Sequence, residues 1–334
     1  MSRRRAYLAG AAAVGIFLLV QLGALALVDP FKAAGYQTVE NPSDPTNSLV
    51  YLLAILIATA VMLAAFRFGV ERLVKVFVVA SAGLVTLYVF SVLVPPVLTV
   101  TVGGSALNVL AVGAAALLAV ALFVYPEWYV IDSTGVVMGA GAAALFGISF
   151  GLLPAILLLA VLAVYDAISV YGTEHMLTLA SGVMDLKIPV VLVVPLSLSY
   201  SYLDAEVPEA AETADEGESD PTADEGESGP FDREAFFIGL GDAVMPTVLV
   251  ASAAFFAPGA VPDLGVPGLA LTLPALTAMI GTLLGLVALL WLVMKGRAHA
   301  GLPLLNGGAI GGYLLGALVS GVSLAQAIGL ASYL

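Results

Sequence analysis

Apolar residues run along this chain in long blocks separated by short polar groups. The first five blocks cover Ala6 to Val28, Ser48 to Phe66, Val74 to Val94, Ser105 to Tyr125 and Gly135 to Leu153. Pro154 opens a sixth, which turns polar at Gly172-Thr173-Glu174-His175. A seventh runs from Ala235 to Phe256, an eighth from Leu269 to Met294, and a ninth from Gly301 towards Ser332. Most match the ~20 residues with which an α-helix crosses the ~30 Å hydrocarbon layer. In that layer a helix satisfies its backbone hydrogen bonds internally. The pattern predicts an all-α polytopic membrane protein with nine transmembrane helices. For the first block a cleaved signal peptide is the rival reading, with Ala24-Leu25-Ala26 as a small-residue cleavage site. Its apolar run exceeds a typical signal core, which favours an anchor.

The polar groups between blocks carry their own information. Pro95-Pro96 ends the third block, and Pro126-Glu127-Trp128-Tyr129 forms an interfacial cluster after the fourth. Residues 178 to 233 form the one long connection. Its Lys187-Ile188-Pro189-Val190-Val191-Leu192-Val193-Val194-Pro195 is too short to span and too rich in valine to favour helix, which predicts an extended segment. Further on, the nine residues Thr213 to Pro221 recur as Thr222 to Pro230, with only Asp220 replaced, by Gly229. Such an acidic repeat cannot build a core, and disorder is expected. The chain thus divides into residues 1–177, a six-helix part carrying Asp166; 178–233, the loop; and 234–334, a three-helix part carrying Asp242.

Charge placement orients the blocks. With the N-terminus in the cytoplasm, the inner loops collect Arg3, Arg4, Arg5, Arg67, Arg72, Lys75, Lys187, Arg233, Lys295 and Arg297, and only Lys32 of the 11 basic residues falls outside. That asymmetry predicts a cytoplasmic N-terminus and long loop and an external C-terminus. The net charge of −13 has mostly one source, because 13 of the 24 acidic residues lie between Asp204 and Glu234.

Composition then narrows the chemistry. The chain is 61% hydrophobic and only 10% charged, whereas a soluble domain is about a quarter charged. It has no cysteine, which removes thiolate metal sites and cysteine nucleophiles. Its two histidines, His175 and His299, form no His-Glu-x-x-His pattern. Gly103-Gly104-Ser105-Ala106 superficially resembles an intramembrane serine site, but no histidine lies in an apolar block to serve it. A helix-packing role is expected there. Asn108 and Gln21 are expected to hydrogen-bond between helices, Glu174 and His175 to meet the headgroups, and Gly307, Gly308, Gly311 and Gly312 to permit close packing.

Two carboxylates remain inside apolar blocks, Asp166 in the sixth and Asp242 in the seventh. An aspartate at the bilayer centre costs about 3 kcal/mol or more, so each is a functional-site candidate. Asp166 lies six residues before Gly172, and Asp242 six after Phe236. At the helical rise both sit roughly 9 Å below the cytoplasmic end, able to face each other if the helices are neighbours. Two carboxyls in a poorly hydrated site cannot both ionise cheaply, so the pair shares a proton. The charged partner can take a proton from a water that attacks a peptide carbonyl, while the neutral partner donates to the carbonyl oxygen. Taken alone, the same two acids also suit an ion path or helix packing.

Tyr165-Asp166 and Gly239-Leu240-Gly241-Asp242 resemble the two signature motifs of the presenilin and signal peptide peptidase family, in an archaeal-type form. Lys187 to Pro195 resembles the proline-bounded hydrophobic segment that signal peptide peptidases carry before the second motif, and Met245-Pro246 also fits. Pro303-Leu304-Leu305 stands where the family has Pro-Ala-Leu, with leucine in place of alanine. The resemblance implies a presenilin-like fold and an intramembrane aspartyl protease with Asp166 and Asp242 catalytic. It implies that Tyr165, Gly239, Leu240, Gly241, Pro303, Leu304 and Leu305 shape the active site and hold substrate, with no metal and no cofactor. Transmembrane polypeptides in the lipid bilayer of a prokaryotic cell membrane would be the substrates, with no nucleic acid and no obligate protein partner; self-assembly is compatible with it. The cytoplasmic N-terminus matches presenilins, whereas signal peptide peptidases are inverted.

Three rivals have their own signatures. A proton- or ion-coupled transporter would use Asp166 and Asp242 as coupling groups, and inverted repeats would favour it; none is visible. A prepilin-peptidase-type enzyme also uses a Gly-x-Gly-Asp aspartate but usually has fewer spans. A noncatalytic scaffold would tolerate amides at both positions.

Overall fold

The computed structural model describes residues 3–172, 190–197, 200–203, 235–258, 261–295 and 299–331. The acidic duplication, Glu174, His175 and residues 187–189 lie outside the described residues. Helices α1 (Arg3–Ala33), α2 (Thr46–Arg67) and α3 (Glu71–Leu93) lead to a hairpin of β1 (Thr99–Val102) and β2 (Ser105–Asn108). Then follow α4 (Val109–Val124), α5 (Trp128–Ser149) and α6 (Leu152–Gly172). Beyond the long connection come β3 (Val191–Pro195), β4 (Ala235–Gly239), α7 (Leu240–Phe255), α8 (Leu273–Val293), α9 (Gly301–Val319) and the short α10 (Leu324–Ala327). Among the described residues, seven helices (α1, α2, α3, α5, α6, α8 and α9) are long and apolar enough to cross a membrane. The apolar α4 and α7 have 16 residues each, about 24 Å at the helical rise.

The all-helical expectation is corrected at two block starts. Ser105–Asn108 pairs with Thr99–Val102 across Gly103-Gly104, whose φ angles of 60° and 88° suit a tight hairpin turn. Gly103 to Ala106 therefore turns a hairpin rather than packing helices. Asn108 is the N-cap of α4, accepting from the N–H groups of Leu110 and Ala111, and its amide donates to the Val94 carbonyl at 2.8 Å. Ala235–Gly239, expected as the start of a helix, is strand β4, paired antiparallel with β3 from Val191↔Gly239 to Pro195↔Ala235. The described part of the valine-rich segment is thus extended, as its composition suggests. Two boundaries also move. α5 begins at Trp128, well before Gly135, because Glu127 caps it, and α9 stops at Val319 near Gly321, whose φ is 81°.

α5 is the centre of the bundle, packed by α1, α3 and α7. Small residues make this approach possible. A Cβ on Gly23 of α1 would lie 2.8 Å from that of Ala140, and one on Gly147 would strike Ala251 of α7. α8 and α9 pack more closely still. Added Cβ atoms on Gly281 and Gly285 would meet the α9 backbone at Gly308 and Leu304, and one on Gly312 the α8 backbone at Thr277. Of the four glycines expected at this seam, Gly308 and Gly312 lie in it, whereas Gly307 and Gly311 face open space. Such contact forfeits side chains but gains backbone dispersion, the usual arrangement between helices in lipid. Gln21 departs from expectation: it is fully buried, and neither its amide nitrogen nor its oxygen has a hydrogen-bond partner. α2 stands at the rim, with only Ser48 and Ala65 buried. The Ser48 hydroxyl ties it to the Pro154 carbonyl of α6 at 2.7 Å.

Candidate active site

Three helix segments meet around the start of α9. Helices leave their first N–H groups unpaired, and a residue before the helix usually caps them. Ala300 stands at that position in α9 and has no side chain to do so. Helix α6 supplies the missing acceptors. Oδ2 of Asp166 accepts from the Leu302 N–H at 3.0 Å, and the Gly301 N–H hydrogen-bonds to the same carboxyl. One turn further along α6, the Tyr171 hydroxyl accepts from the Ala300 N–H at 3.4 Å. The positive end of the α9 dipole therefore points at Asp166.

Asp242 approaches Gly301 from the other side. It lies in the first turn of α7, partly buried, and its Oδ2 is 3.4 Å from where a Cβ on Gly301 would be. Asp166, on its own helix, is 7% exposed. Asp166 bonds the Gly301 and Leu302 N–H groups while Asp242 lies against Gly301, so the two carboxyls converge on Gly301. Equal depth at one helical rise does not describe this meeting. Residues 236–239 rise as strand, at about 3.3 Å each, before α7 begins.

The other expected site residues differ in exposure. Gly239 and Gly241 are exposed, and no atom would lie within 4 Å of a Cβ on Gly241. Leu240 is buried against α5: its Cδ1 would lie 3.2 Å from a Cβ on Gly139. Pro303 and Leu304 are half-buried beside the carboxyls, and Leu305 is fully buried in the core. Next to them, the Asn306 amide donates to the Leu159 carbonyl of α6 at 2.9 Å and locks α9 against the helix of Asp166. Tyr165 is 43% exposed, on a part of α6 turned outward. Among the described residues, no group of three or more His, Asp or Glu could hold a metal ion.

Sequence reasoning missed three contributors. Gly301 and Leu302 act through backbone N–H groups, which no side-chain pattern reveals. Asp132 of α5, 9% exposed, accepts from the Val193 N–H of β3 at 2.8 Å. An apolar block that begins at Gly135 leaves this acid in a loop. Had the helix been extended back to the Glu127 cap, a third carboxylate inside an apolar run would have stood out.

Comparison with known proteins gives one family and one fold. The family model described as signal-peptide peptidase, presenilin aspartyl protease matches residues 14–322. A presenilin family intramembrane aspartate protease solved in space group C222 is 34% identical, covering 93% of this chain and 99% of that one, with a TM-score of 0.63. A second structure so described, in space group P2, is 35% identical over 92% of this chain and 96% of that one, with a TM-score of 0.60. The search of curated proteins gives no match.

Proposed function

The chain belongs to the signal-peptide peptidase and presenilin aspartyl protease family, and from that premise we propose that Asp166 and Asp242 form its catalytic pair. The protein is an intramembrane aspartic endopeptidase, and nothing in its relatives supports an ion-coupled carrier. The convergence of both carboxyls on Gly301 carries the proposal. The pair shares one proton. The ionised member takes a proton from a bound water, the water oxygen attacks the peptide carbonyl, and the protonated member donates to the carbonyl oxygen. Collapse of the tetrahedral species then passes a proton to the leaving nitrogen. The N–H groups of Gly301 and Leu302 hold Asp166 in place throughout, a preorganised arrangement that needs no rearrangement during reaction. Pro303 suits this helix start, since its missing N–H would have had no intrahelical partner.

Substrates are transmembrane segments of other membrane proteins. Such a helix must unwind before its carbonyls become accessible, and β4 offers an edge to the unwound chain. The Leu240 N–H donates to the Val190 carbonyl at 2.7 Å, so residues 190 and 240 form a hydrogen-bonded pair. Pairs alternate in an antiparallel ladder. Gly239 and Phe237 therefore turn their N–H and carbonyl groups away from β3, along an edge that leads to Asp242. Four further readings rest on the sequence patterns: nine spans, counting α4 and α7; a cytoplasmic N-terminus; active-site shaping by Gly239, Gly241, Pro303 and Leu304; and preference for substrates with cytoplasmic C-termini.

The deciding experiment is cleavage of a single-span reporter by the purified protein in detergent. Wild type is expected to release two fragments, and Asp166→Ala and Asp242→Ala none, with an aspartyl transition-state analogue blocking the wild type. Cleavage that survives either substitution in a verified fold overturns the assignment of the pair.

A further inference from the structure

Asp132 is a buried carboxylate that the peptide-cleaving chemistry does not use, and its surroundings assign it a task. It lies on α5, and its Oδ1 accepts from the Val193 N–H at 2.8 Å. By the ladder alternation, Val193 is a non-hydrogen-bonded partner of Phe237, so its N–H faces away from β4. Asp132 thus occupies the outer edge of β3, where an unpaired donor would otherwise be buried with Val193, which is 0% exposed. Gly135, one turn on, would place a Cβ 3.0 Å from Leu192 Cδ2, and Gly139 one 3.2 Å from Leu240 Cδ1. Asp132, Gly135 and Gly139 lie on one face of α5 at helical spacing, and along that face rest β3 and the start of α7. At the cap of the same helix, Glu127 accepts from the Ser201 hydroxyl at 2.7 Å and from the Tyr202 N–H at 3.0 Å.

From this geometry we infer that Asp132 is a positioning residue that docks β3 on α5 and thereby sets the register in which β4 presents Gly239 and Asp242 to substrate. β3 has two edges. One pairs with β4, and the Val193 N–H of the other is taken by Asp132, which among the described residues leaves the outer edge of β4 to an incoming chain. The link to the chemistry is short: β4 passes into α7 at Leu240, and Asp242 follows within one turn. Loss of the acceptor frees β3 to shift, and with it the strand that aligns the scissile bond. The inference rests on Asp242 being catalytic, but the docking it describes can be read without catalysis.

The test compares wild type, Asp132→Asn, which keeps an acceptor oxygen, and Asp132→Val, which keeps the shape and removes it. Measurements are kcat, KM and the cut positions by mass spectrometry on the reporter. A second probe is Val193→Cys in each background, read by a water-soluble maleimide in a protein with no cysteine of its own. Asp132→Val is expected to lower kcat on the order of tenfold with little change in KM, to spread the cut over neighbouring bonds, and to expose Cys at position 193 to label. Asp132→Asn is expected to stay within about twofold of wild type, with the cut unchanged and the cysteine protected. Wild-type kcat and cut positions in Asp132→Val, or equal loss in both variants, overturns the inference. Should Asp132→Val fail to fold, Asp132→Asn decides alone: retained activity and protection uphold it, and their loss overturns it. Failure of the catalytic pair itself shows instead as cleavage by Asp242→Ala, with labelling at position 193 unaffected.

Discussion

At the scale of single residues, Gly301 is the position on which the two carboxyls converge. A Cβ there would lie 3.4 Å from both Asp242 Oδ2 and Leu289 Cδ2. An alanine Cβ there meets only ordinary van der Waals contact, so Gly301→Ala should keep kcat within about threefold, whereas the γ-methyls of Gly301→Val reach past that contact and should lower kcat about tenfold or more. Reporter kinetics with a matched thermal melt separate this from unfolding. Glu127 supplies a pH-dependent counterpart outside the membrane. Burial works against its charge, but hydrogen bonds from Ser201, Tyr202, Trp128 and Leu203 together outweigh it and hold the carboxyl below the ordinary glutamate value of 4.5. A depressed acid stabilises the fold above its unfolded value and loses that contribution as pH falls through the folded one. The 200–203 segment should therefore stay docked at neutral pH and release only once the pH has fallen below the ordinary glutamate value of 4.5. Limited proteolysis across pH should show this, and Glu127→Gln should weaken the dependence. The catalytic candidates were readable in the sequence because each carboxylate interrupts an apolar run. Their partner, the N–H of Leu302, was not, because a backbone donor leaves no trace in composition.

At the scale of elements, β4 was the hardest to read. Ala235-Phe236-Phe237-Ile238-Gly239 is an apolar run of five followed by more apolar residues, and such a run suits buried strand or helix alike. Only pairing with β3 decides, and β3 is separated from it by the long connection. The valine-rich composition of β3 was legible on its own. The edge of β4 yields a clean prediction. Gly239 has φ −58°, which proline also adopts, and its N–H faces away from β3. Gly239→Ala keeps that N–H and Gly239→Pro removes it. Proline should lower kcat/KM at least tenfold relative to alanine while both retain wild-type melting. Equal kinetics for the two variants would argue against strand addition at this edge.

At the scale of the whole molecule, the proposed orientation rests on the distribution of basic residues along the sequence. Because the chain contains no cysteine, single cysteines beside Arg4 and Lys32 can be labelled in intact cells without background. The first should be protected from an impermeant maleimide and the second reactive; the reverse pattern would invert the topology. The long apolar runs made most of the bundle legible, since hydrocarbon dictates their length. The central place of α5 was not, because its glycines and alanines look alike whether they face a neighbour or lipid. Packing alone separates Gly308 in the α8–α9 seam from Gly307 outside it.

The shared use of Asp166, which both belongs to the proposed pair and ends α9 by accepting from Leu302, bears on how an inert form for capturing substrate is best made. Alanine at Asp166 is expected to silence the enzyme, but it also removes the acceptor from the first turn of a neighbouring helix, so the trap would no longer have the shape of the enzyme. A substitution at Asp242 leaves that turn secured, and a target held by such a form meets the carboxyls and the β4 edge as the working protein presents them.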